Sequence, residues 1–132
     1  CLDMFREMFL VTGLAKLKEE DAAAVDAMEV LKMATVNGAH AMGLLDADVL
    51  AKGKLADMIL IDLDQPNMRP FNNIAKNIVY SGSKINVKLT MIGGKILYEN
   101  GVFQTSEDPA AIYERAEEII KDKKQKISKN VL

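Results

Sequence analysis

Residues 53–64 read GKLADMILIDLD, a glycine turn and a lone acid, Asp57, feeding a short apolar run that ends in acids. Before it, apolar residues recur at helical spacing; from Met58 onward the pattern turns extended. Met58-Ile59-Leu60-Ile61 is apolar on both faces, which predicts a strand covered on both sides or packed under helices. The chain is therefore expected to be α+β, with its helices first and its strands after residue 51.

Working toward the N-terminus, Met4, Phe5, Met8, Phe9, Val11, Thr12, Leu14 and Leu17 recur three and four apart, which predicts an amphipathic helix from Asp3 to about Lys18. Gly13 lies inside it and is expected to mark a close helix contact or a break. A second helix is expected from Ala22 to about Thr35, with Val25, Met28, Leu31 and Met33 on its inner face. Asn37-Gly38 is expected to stop it, and Ala39 to Leu45 to add a short helical turn ending near Gly43.

Toward the C-terminus, the prolines of residues 65–70 predict a loop, and Ile78-Val79-Tyr80 a short strand-like run. Ile85 to Ile92 alternates apolar and polar residues, Gly93-Gly94 follows, and Lys95-Ile96-Leu97-Tyr98 returns. Two glycines between two strands suit the positive φ angles of a tight hairpin. A phosphate cradle would need them between a strand and a helix N-terminus. Glu99-Asn100-Gly101 predicts the next turn. Asp108-Pro109 is a helix start, with Ile112, Ala116, Ile119 and Ile120 on one face and lysines 121, 123, 124, 126 and 129 crowding its end.

Composition narrows the function classes. The chain has 132 residues, 49% hydrophobic and 27% charged, which suits a folded domain. A net charge of −2 gives no overall field for nucleic acid or an anionic membrane. The lysines near the end lack neighbouring aromatics or a run of arginines, so they read as a solvated helix end that complements the dipole. The single cysteine, Cys1, excludes an intrachain disulfide framework and fits a reducing compartment. No apolar run reaches the roughly 20 residues that span a bilayer, and no signal-peptide pattern opens the chain, so it reads as cytoplasmic. The opening, Cys1-Leu2-Asp3-Met4-Phe5, is already helical in pattern and reads as cut from something longer, the alternative being a processed end.

His40 is the sole histidine. A hydrolytic zinc site needs about three convergent protein ligands, and no HxH, HExxH or CxxC spacing occurs. No GxSxG elbow accompanies His40 either. It is expected to be a helix-surface or packing residue, the alternative being a role behind a site's ligands or at a subunit contact. No residue is assigned a catalytic, substrate-binding or metal-ligating role.

Taken in order, Leu2 to Met8 (LDMFREM), Ala22 to Leu31, Met33 to Ala39 (MATVNGA), Gly53 to Asp62 (GKLADMILID), Val79-Tyr80 and Gly93-Gly94-Lys95 resemble the C-terminal third of metal-dependent amidohydrolases. The branch they are most similar to is that of 5-methylthioadenosine/S-adenosylhomocysteine deaminases and related chlorohydrolases. The resemblance covers residues 2–103, and MATVNGAHAMGL with GKLADMILID carry most of it. It departs at Ala47-Asp48-Val49-Leu50, where the family usually shows a glycine-containing turn, and at Gly93, where an Asn usually stands.

The resemblance implies that residues 1–50 are C-terminal helices of a (β/α)8 barrel and that 51–104 are strands of the small β-sandwich beside it. Residues 105–132 would be a C-terminal helix with a Lys-rich tail. It further implies a parent enzyme that removes an amino or chloro group from a small N-heterocycle, using a divalent metal, zinc or iron, to activate water. The family's ligands, an HxH pair, two later histidines and an aspartate, fall upstream of the point matching Cys1, so none is carried onto this chain. The segment itself is expected to be structural, inactive and without metal, and to self-associate through its uncovered apolar faces. The competing reading is a stand-alone, non-catalytic α+β module for binding or assembly.

Overall fold

The computed structural model describes residues 2–104 and 106–129. Cys1 and the last three residues of the Lys-rich tail lie outside the described residues. Three helices come first: α1 (Met4–Glu19), α2 (Ala27–Met33) and α3 (Val36–Ala41). Strand β1 (Met58–Ile61) follows, then α4 (Ile74–Lys76), which runs on into a π-helical turn over Asn77–Ser81. Strands β2 (Val87–Ile92), β3 (Lys95–Glu99) and β4 (Val102–Phe103) precede α5 (Pro109–Lys129).

The strands form one antiparallel sheet in the order β1-β2-β3-β4. Gly93 (φ 56°) and Gly94 (φ 78°) make the β2–β3 turn, and Asn100 (φ 48°) with Gly101 (φ 91°) the next, as their residue types require. The strand after Ser83 starts at Val87 and not at Ile85. Ser83 and Asn86 cap each other's backbone in a capping box and hold Lys84–Asn86 in a 3-10 turn.

The core lies among the helices. Phe5 and Met8 of α1, Ala27 and Val30 of α2, Met68, Ala75, and Ile78 and Val79 of the π turn are its buried apolar residues. It therefore joins residues on both sides of position 51.

Several sequence expectations need correction. Ile78-Val79-Tyr80 is helical, because Asn73 caps the Lys76 N–H at 3.0 Å and α1 and α2 take Ile78 and Val79 into the core. Three apolar residues carry no periodicity that packing cannot override. α2 begins at Ala27, because Asp21 and Asp26 draw the N–H groups of Ala23 and Met28 onto their carboxylates, 2.8 Å each, and break the run. Its buried face is Ala27 and Val30, with Met28 and Met33 exposed. The break after α2 falls at Ala34-Thr35, and Asn37-Gly38 lies within α3.

Gly13 neither breaks α1 nor meets a neighbour among the described residues. The close approach is at Gly82, where an added Cβ would lie 2.3 Å from the Ile78 carbonyl oxygen and 2.8 Å from Phe5 Cδ1. Finally, β1 is not covered: Met58, Ile59 and Leu60 are exposed, and only Ile61 leans on the core.

Candidate functional site

A groove of about 470 Å³ lies between the end of α2, the loop at residues 47–50, the start of β1 and the end of β2. Two acids stand in its wall, Asp48 and Asp57. Asp57 Oδ1 accepts the Gly93 N–H at 2.6 Å, and the Ala56 carbonyl accepts the Gly94 N–H at 3.1 Å. The acid in GKLADMILID thus ties the strand's entry to the hairpin turn 36 residues later.

Asp48 is gripped from two sides. His40 Nε2–H donates to Oδ2 at 2.9 Å, and Lys54 Nζ pairs with Oδ1 at 2.9 Å. Lys54 also donates to the Leu45 carbonyl. The Asp48 side chain is 13% exposed. Those hydrogen bonds, from His40 first and Lys54 second, hold its carboxyl down at about 2. The end of α3, the following loop and the glycine turn at Gly53 (φ 88°) are laced together by these three side chains.

A second polar knot lies beyond β1. Asn86, fully buried, accepts from Ser83 N (2.9 Å) and from Asn67 Nδ2 (2.8 Å), and its own amide faces Asn67 Oδ1 at 3.2 Å. Asn67 further donates to the Ser81 carbonyl at 2.7 Å. Beside it, Asp62 takes hydrogen bonds from the Gln65 amide and the Asp64 N–H, with Lys88 at 3.4 Å, and its carboxyl is held below the usual range in that order of cause. Asn67 and Asn86 escaped the sequence reading. The Ser83–Asn86 capping-box spacing was the one local signal for them.

These arrangements tie loops to one another. No three His, Cys, Asp or Glu side chains converge on a point among the described residues. His40 contributes one imidazole and Asp48 one carboxylate, whose other oxygen lies 2.9 Å from the Lys54 ammonium as an ion pair. This donor set does not fit a catalytic metal, which needs about three protein ligands and an open position. Nor does any helix among the described residues have the length and apolarity to cross a membrane.

The family model described as the amidohydrolase family matches residues 1–97. The chain belongs to the amidohydrolase family. Among its relatives, a 5-methylthioadenosine/S-adenosylhomocysteine deaminase of Thermococcus onnurineus is 44% identical over 96 residues, which is 73% of this chain and 22% of the relative. An adenosine deaminase from Xanthomonas campestris, solved with bound zinc, superposes with a TM-score of 0.81 at 30% identity, over 87% of this chain and 26% of that one. An atrazine chlorohydrolase from Arthrobacter aurescens, complexed with zinc, gives 0.66 at 27% identity, over 74% and 21%. The amidohydrolase chain thus spans about a quarter of the length of the curated relatives it matches, 25% and 22% for the first two.

Proposed function

We propose that this chain is the structural C-terminal part of a metal-dependent hydrolase that cleaves a C–N or C–Cl bond of a small N-heterocycle, an adenine nucleoside being the favoured substrate. The observation that carries the reading is the family match over residues 1–97, joined to longer relatives of which the matched stretch is 25% and 22%, and whose names are those of adenosine-derivative deaminases. In this reading residues 1–50 are C-terminal helices of the (β/α)8 barrel, 51–104 are sandwich strands, and 105–132 are a C-terminal helix with its Lys-rich tail. The divalent metal, zinc or iron, is held by residues outside this segment, in line with the poor donor set around His40. No residue here is catalytic, substrate-binding or metal-ligating, and the enzyme works in the cytoplasm without nucleic acid or membrane.

Two features support a scaffolding role. Asp48 and Asp57, the acids lining the groove, are spent on His40, Lys54 and the Gly93 N–H. In addition, the middle of α1, from Met8 to Ala15, carries no charged side chain on any face and leaves Phe9, Leu10 and Leu14 exposed, which suits a helix covered on several sides in a larger protein.

The test compares the 132-residue chain with a protein that also includes what precedes it in the gene, both loaded with zinc or iron. Ammonia release from adenosine and 5-methylthioadenosine, and chloride release from a chlorotriazine, are measured. We expect the longer protein to turn over at least one of them and the 132-residue chain none. An upstream frame with no HxH-bearing, barrel-length region, or turnover by the short chain, would overturn the proposal.

A further inference from the structure

Helix α5 is 21 residues long and begins beyond residue 97, where the family match ends. Every residue from Ala110 to Ile127 is exposed. At about 100° per residue, Ile112, Ala116, Ile119, Ile120 and Ile127 fall in one stripe roughly 100° wide. The stripe is symmetric: Ile112 and Ile127 are equidistant from the midpoint between Ile119 and Ile120.

Charge has the opposite symmetry about the same point. Residues 107–118 hold five acids and one arginine, net −4, whereas residues 121–129 hold five lysines and one aspartate, net +4. The dipole of a lone helix favours this order, but only near its ends. The ion pairs within this region, Arg115–Glu107 at 3.2 Å and Asp122–Lys126 at 2.7 Å, are exposed and weakly held.

We propose that α5 is a homotypic docking helix that pairs antiparallel with α5 of a second copy of this chain. A two-fold axis between Ile119 and Ile120 sets Ile112 against Ile127 of the second copy and Ile119 against its Ile120. Lys123, which interrupts the stripe, then falls opposite Ala116, where a small side chain leaves room for the lysine stem. On the flanks Glu117 comes beside Lys124 of the second copy, and Arg115 beside its Asp122. Each acidic half lies along a basic half, as a self-complementary two-fold contact requires. Parallel pairing would place like charges together, so the charge order selects the antiparallel arrangement. The inference is independent of the hydrolase reading.

The test uses the whole 132-residue chain and two charge-reversed variants. One carries Glu114→Lys, Glu117→Lys and Glu118→Lys; the other carries Lys121→Glu, Lys124→Glu and Lys126→Glu. Size-exclusion chromatography with light scattering should give each variant alone a mass about two-fold below that of the unaltered chain at equal concentration. An equimolar mixture should return to the unaltered mass, a recovery that unfolded chains cannot produce. Variants that keep the unaltered mass, or a mixture that stays low, overturn the proposal. So does loss of binding to phosphatidylserine-containing vesicles in the lysine-reversed variant with its mass unchanged, which would assign the basic half to an anionic surface.

Discussion

The Asp48 carboxylate has a structural use: it joins His40 to Lys54 across three segments of chain. Because the folded carboxyl is held at about 2 against an ordinary 3.8, the ionised form is favoured by folding. The sign follows: this contribution is fully present above pH 3.8 and is lost as pH falls through about 2. Comparing the chain with its Asp48→Asn variant by urea denaturation, we expect a stability gap that is constant above pH 4 and narrows steadily toward pH 2. A gap unchanged across that window would mean that the His40 and Lys54 contacts do not form in solution. That His40 is the sole histidine of this chain was legible by counting alone. Its partner was not legible, because nothing in the residues between 40 and 54 shows how the loop folds back.

At the scale of elements, legibility tracks how local the cause is. The Gly93-Gly94 and Asn100-Gly101 turns were readable because positive φ is a property of the residue placed there. The helical state of Ile78 and Val79 was not, because it depends on Phe5 and Met8, some seventy residues earlier, receiving them in the core. α1 shows both sides: its existence follows from three-and-four spacing, but its buried face, Phe5, Met8 and Thr12, is a subset that periodicity cannot choose from so many apolar residues. Gly82, which follows the π turn, packs close against Phe5 of α1. We expect Gly82→Ala to cost about 1–3 kcal/mol, as overpacking against backbone does, and Gly13→Ala to add up to about 1 kcal/mol, since its Cβ meets nothing among the described residues. Urea midpoints at constant slope measure both, and a neutral Gly82→Ala would show that α1 and the turn are not in contact.

Considered as a whole, the molecule covers little of its apolar surface. Phe9 (56%), Leu14 (56%) and Leu17 (77%) of α1 and Leu60 (61%) of β1 face outward, and among the described residues β1 is also a sheet edge with no strand on its outer side. Apolar patches beyond a few hundred Å² and open strand edges recruit other chains. With α5 charge-reversed to silence that surface, the chain should still gain mass with concentration and brighten an apolar dye. A strictly monomeric, dye-negative species at micromolar concentration would contradict this and favour a stand-alone module. By itself the sequence determined the α-then-β order, the hairpin chemistry, the acid-to-base order of α5 and the family, since each rests on residue type, short spacing or a recognisable run. Only the tertiary structure decided which apolar residues are buried, that Asp57 meets the Gly93 N–H and Asp48 meets His40 and Lys54, and that β1 stands uncovered. Those outcomes depend on contacts between segments far apart in the chain, and burial is a competition among all apolar residues for one small core.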